Sequence, residues 1–336
     1  DIKSEGLMDS CINSLPCAEG IPEDVFYRFV VCPRVSDEML RPCRRFLSEF
    51  IEETVKTEIK KNPECLPGLV EKWVRSMPDQ EYENLYEIRN VSDGTRVKTA
   101  LLDEKTKHVV IVGAGFIGLE VSEACRRYGK DVTVVELADH ILPAFDTEVS
   151  QALEEELTKN GVAVRTKTMV KELISENGVI KAARIECRDQ DGQATAQEIL
   201  VDMLINSAGI APSTDFIQNV EKARNGAICV NERMETSVKD VYAAGDCSIM
   251  KSAITGQYQY APLGTNANKQ GRIIGDILGG AEPKPFKLIG SSALRLFGMD
   301  AAKVGLSEKE AQASGIDFKV NTITGNSYAS YYGTEK

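Results

Sequence analysis

The sequence predicts an α/β protein built around a parallel β-sheet, and three observations lead to this prediction. From Leu85 onward, short apolar runs typical of buried strands alternate with amphipathic stretches typical of helices. Residues 109–112 are all β-branched, as expected for a strand that is buried on both faces. A glycine-rich turn, a helix and a second apolar strand follow this strand directly, which is the order of one parallel crossover unit.

The turn has the pattern Gly113-x-Gly115-x-x-Gly118. Gly113 allows a tight turn, Gly115 lets the backbone approach a pyrophosphate, and Gly118 lets the helix pack closely on the strand. Phe116 and Ile117 lie between the last two glycines, at the start of the helix. Because a helix N-terminus offers unpaired N–H groups to phosphates, the turn predicts a nucleotide site.

An acidic residue, Glu136, closes the second strand of this unit. It follows the turn by about 20 residues, where a carboxylate can accept hydrogen bonds from the ribose hydroxyls of an adenine dinucleotide. Strand, turn, helix and acid together predict a Rossmann-like domain, and a chance glycine turn without a ligand is the alternative. Glu136 would repel a 2′-phosphate, and residues 137–139 offer no arginine or lysine, so we expect NADH to be preferred to NADPH.

The composition excludes several classes of partner. A chain of 336 residues with a net charge of −11 and a pI near 5.0 is not expected to bind nucleic acid. No apolar run approaches the roughly 20 residues that cross a bilayer, so we expect no membrane partner. Nine scattered cysteines favour reduced thiols and a cytoplasmic location. The chain begins at Asp1 rather than methionine, which is compatible with processing or with a fragment of a longer protein.

The first 78 residues differ from the rest. Apolar residues recur at helical spacing after Ser36, a predicted N-cap, and Asn62-Pro63 ends this helix before a second one. Five of the nine cysteines lie in this region, without a C-x-x-C pair or a nearby histidine. We therefore expect buried structural thiols and no metal site.

Further elements are expected after the helical region. The Asn177-Gly178 and Asp191-Gly192 pairs predict hairpin turns, and the NSAGIAPST segment predicts a ligand-binding loop at a strand end. The expected helices cover 95–103 and 149–157, and the expected strands cover 85–89, 162–168, 170–175, 179–188 and 199–205.

Several motifs in register resemble one known family. They are ENLYEIRNVSD, HVVIVGAGFIGLE, LINSAGIAPST, VYAAGDCS, APLGTNANKQGRIIGDILGG and SSALRLFGMDAAKVGLSEKEA. Over about residues 82–332, the chain resembles the FAD- and NAD(P)-dependent pyridine nucleotide-disulfide oxidoreductases, in the branch of the NADH oxidases and coenzyme A disulfide reductases. The resemblance implies an oxidoreductase that uses NAD(H) and FAD.

The resemblance also implies roles for individual residues. Glu120 would lie near the nicotinamide, Gly209 would close over the dinucleotide, and Asp246 would bind a ribityl hydroxyl of FAD. The helix over residues 262–271 would point its N-terminus at the flavin ring, where its dipole stabilises negative charge. The alternatives are a solvated helix acid for Glu120 and an ordinary turn residue for Asp246. The complete set of expected cofactor residues is Gly113, Gly115, Phe116, Ile117, Gly118, Glu120, Glu136, Gly209, Gly245, Asp246, Pro262, Leu263, Thr265 and Asn266.

The chain departs from the family at both ends. Residues 1–78 contain no second G-x-G-x-x-G turn for the ADP half of FAD, and no cysteine there has the family's catalytic context, so the catalytic residue is unknown. Cys43 and Cys247 are interpreted as structural thiols. Residues 286–336 resemble the start of the family's interface domain, and we expect a homodimer. The predicted domains are a helical region (1–78), a partial FAD-binding domain (79–105 and 223–285), an inserted Rossmann-like NAD-binding domain (106–222) and a truncated α+β interface domain (286–336).

Three functions are compatible with these features. The leading hypothesis is an NADH-dependent flavoprotein oxidoreductase, or a piece of one, that passes hydride through FAD to a small-molecule electron acceptor. Disulfide, oxygen, peroxide and polysulfide remain open as acceptors. The second is a non-catalytic NAD(H)-binding or sensing protein with a helical interaction module. The third, an NAD-dependent dehydrogenase without flavin, lacks an obvious acid or base for hydride transfer.

Overall fold

The computed structural model describes residues 82–188 and 194–325. The predicted helical region 1–78 with its cysteines, the Asp191-Gly192 turn and the NSYASYYG segment lie outside the described residues. Within the described residues, no helix is long and apolar enough to cross a membrane.

The described part contains thirteen strands and five α-helices. The strands are β1 (Leu85–Glu87), β2 (His108–Val112), β3 (Asp131–Val135), β4 (Val162–Arg165), β5 (Thr168–Glu176), β6 (Val179–Arg188), β7 (Ala194–Leu200), β8 (Met203–Asn206), β9 (Ile228–Val230), β10 (Ser248–Lys251), β11 (Tyr258–Gln259), β12 (Ser291–Leu296) and β13 (Met299–Val304). The helices are α1 (Val91–Leu102), α2 (Phe116–Arg127), α3 (Thr147–Lys159), α4 (Gly264–Leu278) and α5 (Glu308–Ala313).

A five-stranded parallel sheet forms the centre of the first half, as the alternation of strands and helices predicts. Its strand order is β1-β8-β2-β3-β4, and every neighbouring pair is parallel. Helices α1, α2 and α3 pack their apolar residues on one face, around Ile111 and Val134. The antiparallel sheet β5-β6-β7 covers the other face, where Val110 and Val135 pack against Ile180. All five strands therefore end at one edge of the sheet, where the glycine turn lies.

Two predicted strands are wrong in extent. The expected strand over 162–168 is divided into β4 and β5, because Lys167 adopts a left-handed backbone (φ 49°) and turns the chain. The expected strand over 199–205 is divided between β7 and β8, which belong to different sheets. Asp202 separates them, and its carboxylate accepts hydrogen bonds from the backbone N–H groups of Lys107 and His108 at 2.9 and 2.8 Å.

Helix α1 begins earlier than the apolar spacing predicts. Asn90 accepts a hydrogen bond from the Asp93 N–H at 3.0 Å, and the Asp93 carboxylate accepts one from the Asn90 N–H at 3.2 Å. This reciprocal capping box satisfies two N–H groups that a helix start leaves unpaired. The first turn, which includes the exposed Val91, therefore belongs to the helix although it carries no buried residue.

A second body is built from residues 223–288. Strand β10 pairs with β9 in parallel and with β11 in antiparallel orientation. Helix α4 packs Ile273 against Val230 and Met250. The predicted helix over 262–271 is thus observed two residues later and extends to Leu278.

The C-terminal part forms a hairpin of β12 and β13 followed by α5. Leu294, Leu296 and Ala301 join the core around the parallel sheet. The LRLF motif is a strand only up to Leu296, since Phe297 adopts a left-handed backbone (φ 51°) in the turn. The sequence of the KVNTI segment is also strand-like, but this indication is wrong, because residues 319–323 form no strand and are exposed.

Candidate functional site

The glycine turn is held by backbone contacts that only glycine permits. Gly113 has φ 99°, and its N–H donates to the Val135 carbonyl at 2.8 Å. A Cβ at Gly113 would stand 2.6 Å from the carbonyl oxygen of Ser207, and one at Gly118 would stand 2.0 Å from the Gly113 carbonyl oxygen. Both glycines therefore allow β2, β8 and α2 to approach one another.

Gly115 differs from the other two glycines of the turn. It is the N-cap of α2, its backbone is extended, and no side chain caps the helix start. No atom lies within 4 Å of the position a Cβ would take at Gly115. The next two residues, Phe116 and Ile117, begin the helix, and Phe116 packs edge-on against Phe145. This end of α2 presents open space and unpaired N–H groups, which suit a pyrophosphate.

The Glu136 carboxylate is bound to the turn itself. Its Oε2 accepts a hydrogen bond from the Ala114 N–H at 2.6 Å, and its Oε1 accepts one from the Ala138 N–H at 2.8 Å. Two backbone donors fix the carboxylate beside the start of α2. Each carboxylate oxygen keeps a lone pair that can accept a ribose hydroxyl.

Two cations next to Glu136 were missed by the sequence reasoning. The Glu136 N–H donates to the Arg165 carbonyl at 2.8 Å, and the Lys167 N–H donates to the Ala138 carbonyl at 2.9 Å. Neither Arg165 nor Lys167 forms an ion pair within residues 82–188 and 194–325. Only the pairing of β4 with β3 brings them beside the acid, so a search of residues 137–139 could not find them.

The NSAGIAPST loop follows β8 and lies against the glycine turn. Ser207 donates from its hydroxyl to the carbonyls of Val112 and Gly113, at 2.9 and 3.0 Å. Gly209 is exposed with φ 111°, and no atom lies within 4 Å of its missing Cβ. The loop therefore borders the same edge of the sheet. Ser207 is a further residue that sequence reasoning missed, although its position directly after a strand could have indicated it.

Glu120 lies on α2, one turn after Gly115, and is exposed to solvent. Its carboxylate forms no hydrogen bond or ion pair with the described residues. Both the role near the nicotinamide and the solvated helix acid remain open for Glu120.

The second group of predicted residues surrounds the start of α4. Gly245 has φ 78° and donates its N–H to the Gln270 side chain at 2.7 Å. A Cβ at Gly245 would stand 3.4 Å from the Cβ of Ala267, so the turn packs on the first turn of α4. Asp246 is exposed, and its carbonyl accepts a hydrogen bond from the Tyr260 hydroxyl at 2.7 Å. Sequence reasoning did not identify Gln270 or Tyr260.

The start of α4 is open in the same way as the start of α2. Leu263 is its N-cap, follows Pro262 and provides no side-chain cap. Thr265 is exposed, and Asn266 donates from its side chain to the Ala261 carbonyl at 3.1 Å. No hydrogen bond within the described part of the chain joins this group to the glycine turn. The predicted cofactor residues thus form two separate half-sites.

Two thiols of the described residues, those of Cys125 and Cys247, do not resemble reactive cysteines. Burial raises the pKa of Cys125 to about 12 and also raises the pKa of Cys247. The Cys247 Sγ donates to the Ala244 carbonyl at 3.2 Å. A raised pKa disfavours the thiolate, which is the nucleophilic form. The interpretation of Cys247 as a structural thiol remains our preferred one.

A cavity of about 820 Å³ opens at the other edge of the parallel sheet, near the start of β8. None of the predicted cofactor residues lines it. Its walls carry both cations, such as Arg96 and Lys181, and acids, such as Glu83 and Asp202. In open α/β sheets ligands bind at the carboxyl ends of the strands, which favours the glycine turn over this cavity.

Comparisons with known proteins agree with this geometry. Residues 68–271 match the family described as pyridine nucleotide-disulphide oxidoreductase. An NADH oxidase of Mycoplasma genitalium is 35% identical over 69% of this chain and 48% of its own length. An NAD(P)H coenzyme A polysulfide/persulfide reductase of Pyrococcus horikoshii is 31% identical over 71% of this chain and 52% of its own length. The chain spans about half the length of these curated relatives.

A solved structure gives the same result for the fold. The crystal structure of an FAD-dependent pyridine nucleotide-disulphide oxidoreductase from Desulfovibrio vulgaris is 34% identical and has a TM-score of 0.62. The matched region covers 70% of this chain and 58% of the chain in that crystal structure.

Proposed function

The chain belongs to the pyridine nucleotide-disulphide oxidoreductase family, and on this premise we propose that it is an NADH-dependent flavoprotein oxidoreductase, or part of one. In this proposal, hydride passes from NADH through FAD to a small-molecule acceptor. Relatives named as NADH oxidase and as persulfide reductase support oxygen or a sulfur compound as the acceptor. The non-catalytic NAD(H)-sensing alternative is not favoured.

The observation that carries the proposal is the open backbone at Gly115 beside the fixed carboxylate of Glu136. The pyrophosphate of NADH would lie over Gly115, at the start of α2, where a Cβ position is free of neighbours. The adenine ribose would donate to Glu136, whose carboxylate is already oriented by Ala114 and Ala138. Gly209 would close the loop over the dinucleotide, and Glu120 would face the nicotinamide.

The second half-site fits the flavin end of FAD. The exposed Asp246 would accept a ribityl hydroxyl, and the uncapped start of α4 at Leu263 would face the isoalloxazine ring. FAD would supply the redox chemistry of accepting hydride and passing electrons on. The helix N-terminus would stabilise the negative charge that reduction brings.

The proposal includes the domain arrangement. Residues 106–222 form the NAD-binding domain, which is inserted between the two FAD-binding segments 79–105 and 223–285. Residues 286–336 begin an interface domain, and the assembly is a homodimer. The scattered cysteines support a reducing, cytoplasmic setting, and within the described residues Cys125, Cys229 and Cys247 form no disulfide.

Anaerobic titration with NADH in the presence of added FAD tests the proposal. We expect NADH to bind and to bleach the visible absorbance of the flavin, and the Gly115→Val variant to do neither. Binding of NADH without reduction of the flavin would favour the sensing alternative. A wild-type chain that binds no NADH would contradict the proposal.

A further inference from the structure

The tip of the β12–β13 hairpin is held by a buried acid of α2. Glu123 is only 9% exposed, and its Oε2 accepts a hydrogen bond from the Phe297 N–H at 2.8 Å. The other carboxylate oxygen of Glu123 accepts from Arg127. Phe297 lies in the left-handed region (φ 51°), which a residue with a side chain adopts only when its surroundings enforce it. The hydrogen bond to Glu123 is one contact that enforces this turn.

Other contacts attach the same hairpin to the first body. The Gly298 N–H donates to Glu156 of α3 at 3.3 Å, and Lys303 donates to the Ala144 carbonyl at 2.6 Å. Leu294 and Leu296 lie in the core beneath α2 and α3. The hairpin is therefore fixed to the two helices that flank the dinucleotide half-site.

The base of the hairpin is attached to the flavin half-site. The Ala253 N–H donates to the Leu288 carbonyl at 2.8 Å, and Leu288 lies in the core that contains Ile273 of α4. The side chain of Gln259 lies against Gly290, at 3.1 Å from the position of a Cβ there. The base of the hairpin thus contacts the body that carries Asp246. The tip of the hairpin contacts α2, the helix that Gly115 caps.

We propose that Glu123 is a positioning residue, which ties the dinucleotide helix α2 to the β12–β13 hairpin and thereby fixes the distance between the two half-sites. This inference rests on the proposed function. Glu123 lies one helical turn, about 5 Å, beyond Glu120 along α2. A shift of the hairpin tip would therefore move the part of α2 that faces the nicotinamide relative to the flavin. Because hydride transfer needs close approach of the reacting atoms, such a shift would affect the rate more than the binding.

Three substitutions of Glu123 distinguish the effect of side-chain length from the effect of its charge. Glu123→Ala removes the acceptor of the Phe297 N–H. Glu123→Asp keeps the charge but is shorter by one methylene, and Glu123→Gln keeps an oxygen at the same distance without the charge. Glu155→Ala is the matched control, since Glu155 is an exposed acid of α3 without a hydrogen bond or ion pair in the described residues.

Amide hydrogen exchange of the chain without cofactor is the first measurement. We expect exchange at Phe297 and Gly298 to accelerate about tenfold in the Ala and Asp variants. The Gln variant and the Glu155 control should stay within about threefold of the wild type. Equal exchange in all variants would overturn the inference. Should Glu123→Ala unfold, faster exchange would extend to β2 and β3, and the Asp and Gln variants would then decide.

The second measurement repeats the exchange with NADH bound and follows NADH oxidation with added FAD. We expect NADH to slow exchange at the hairpin tip of the wild type but not of Glu123→Asp, although both bind NADH. The Asp variant should lose about tenfold in kcat with little change in KM, and Gln should restore it. A rise in KM alone, or a hairpin tip that does not respond to bound NADH, would overturn the coupling. If the wild type binds no NADH, the proposed function fails, and the coupling fails with it.

Discussion

Glu136 and Ala114 are joined by a 2.6 Å hydrogen bond from the Ala114 N–H to the Glu136 Oε2. The bond connects the end of β3 to the middle of the glycine turn, so the proposed ribose acceptor and the proposed pyrophosphate site keep a fixed distance. A dinucleotide bound as we propose would meet a preorganised site, in which little side-chain entropy remains to be lost on binding. The same hydrogen bonds fix the position of the Glu136 carboxylate, and we expect this position to determine the choice between NADH and NADPH.

We expect NADH to bind at least tenfold more tightly than NADPH, a difference of about 1.4 kcal/mol. The Glu136 carboxylate cannot move away from a 2′-phosphate without losing its hydrogen bonds to Ala114 and Ala138. Titration of the chain with both nucleotides, followed by fluorescence, measures the ratio. Equal or tighter binding of NADPH would contradict the assignment of Glu136.

Replacement of Glu136 by glutamine or arginine should narrow or reverse this preference. Arg165 ends the neighbouring strand β4 and Lys167 lies in the turn after it, where their backbones contact the Glu136–Ala138 segment, and these cations would attract a 2′-phosphate once the acid is removed. Asp139→Asn is the control, because Asp139 is exposed and forms no hydrogen bond with the described residues. It should keep the preference of the wild type.

Two substitutions in the glycine turn should affect different properties, one mainly the binding of NADH and the other mainly the stability of the fold. Gly115→Val places its side chain in open space, so the fold should lose only about 1 kcal/mol for a poor N-cap, while the binding of NADH is abolished. Gly118→Ala places its Cβ 2.0 Å from the Gly113 carbonyl oxygen and should lower the free energy of unfolding by about 2 kcal/mol or more. Urea unfolding and NADH titration distinguish them. Wild-type affinity in Gly115→Val would show that the site lies elsewhere.

These glycines could be identified from the sequence because their spacing is a local pattern, and the β-branched run before them indicates the preceding strand. The close approach of Gly113 to Ser207 could not be predicted, because Ser207 follows the distant strand β8. The positions of Arg165 and Lys167 could not be predicted in the same way, because they depend on which strand pairs with β3.

The incorrect strand prediction over 199–205 also results from contacts between distant residues. The sequence of this run resembles one strand. The run is divided between two sheets at Asp202, whose carboxylate accepts hydrogen bonds from the N–H groups of Lys107 and His108. The contact of Glu123 with Phe297 joins residues far apart in the chain, and no pattern in the sequence indicates it. Local turns and periodicity are thus predictable, whereas contacts between distant elements require the fold.

The attachment of the hairpin should weaken in acid. The hydrogen bond from the Gly298 N–H is the main cause that holds the pKa of Glu156 below its ordinary value of 4.5. A carboxyl with a lowered pKa in the folded state stabilises the fold above its ordinary pKa, and this contribution is lost as the pH falls through the lower folded value. The protection of the Gly298 amide, which is its intrinsic exchange rate divided by its observed rate at the same pH, should therefore fall below pH 4.5. Glu156→Gln should remove this pH dependence, and Glu155→Gln should retain it.

We expect a homodimer that is weaker than those of longer relatives. Val304, Val320 and Ile323 are 74%, 55% and 81% exposed in the C-terminal part, which leaves apolar surface available to a second copy. Light scattering at tens of micromolar chain should report the dimer. Val304→Glu should shift it toward monomer without loss of stability, because the residue is exposed. A strictly monomeric wild type would refute the prediction.

The chain should purify with less than one FAD per molecule. In our proposal Asp246 and the start of α4 bind the flavin end, but residues 1–78 carry no second glycine turn for the ADP end. Hydrogen bonds to a charged pyrophosphate contribute about 1.5 to 3 kcal/mol each, so the lack of several should weaken binding by orders of magnitude. Absorbance of the purified chain gives the occupancy. Added FAD should still bind weakly, and Asp246→Ala should weaken it further. One tightly bound FAD per chain would contradict this and indicate that residues 1–78 bind the ADP end in another way.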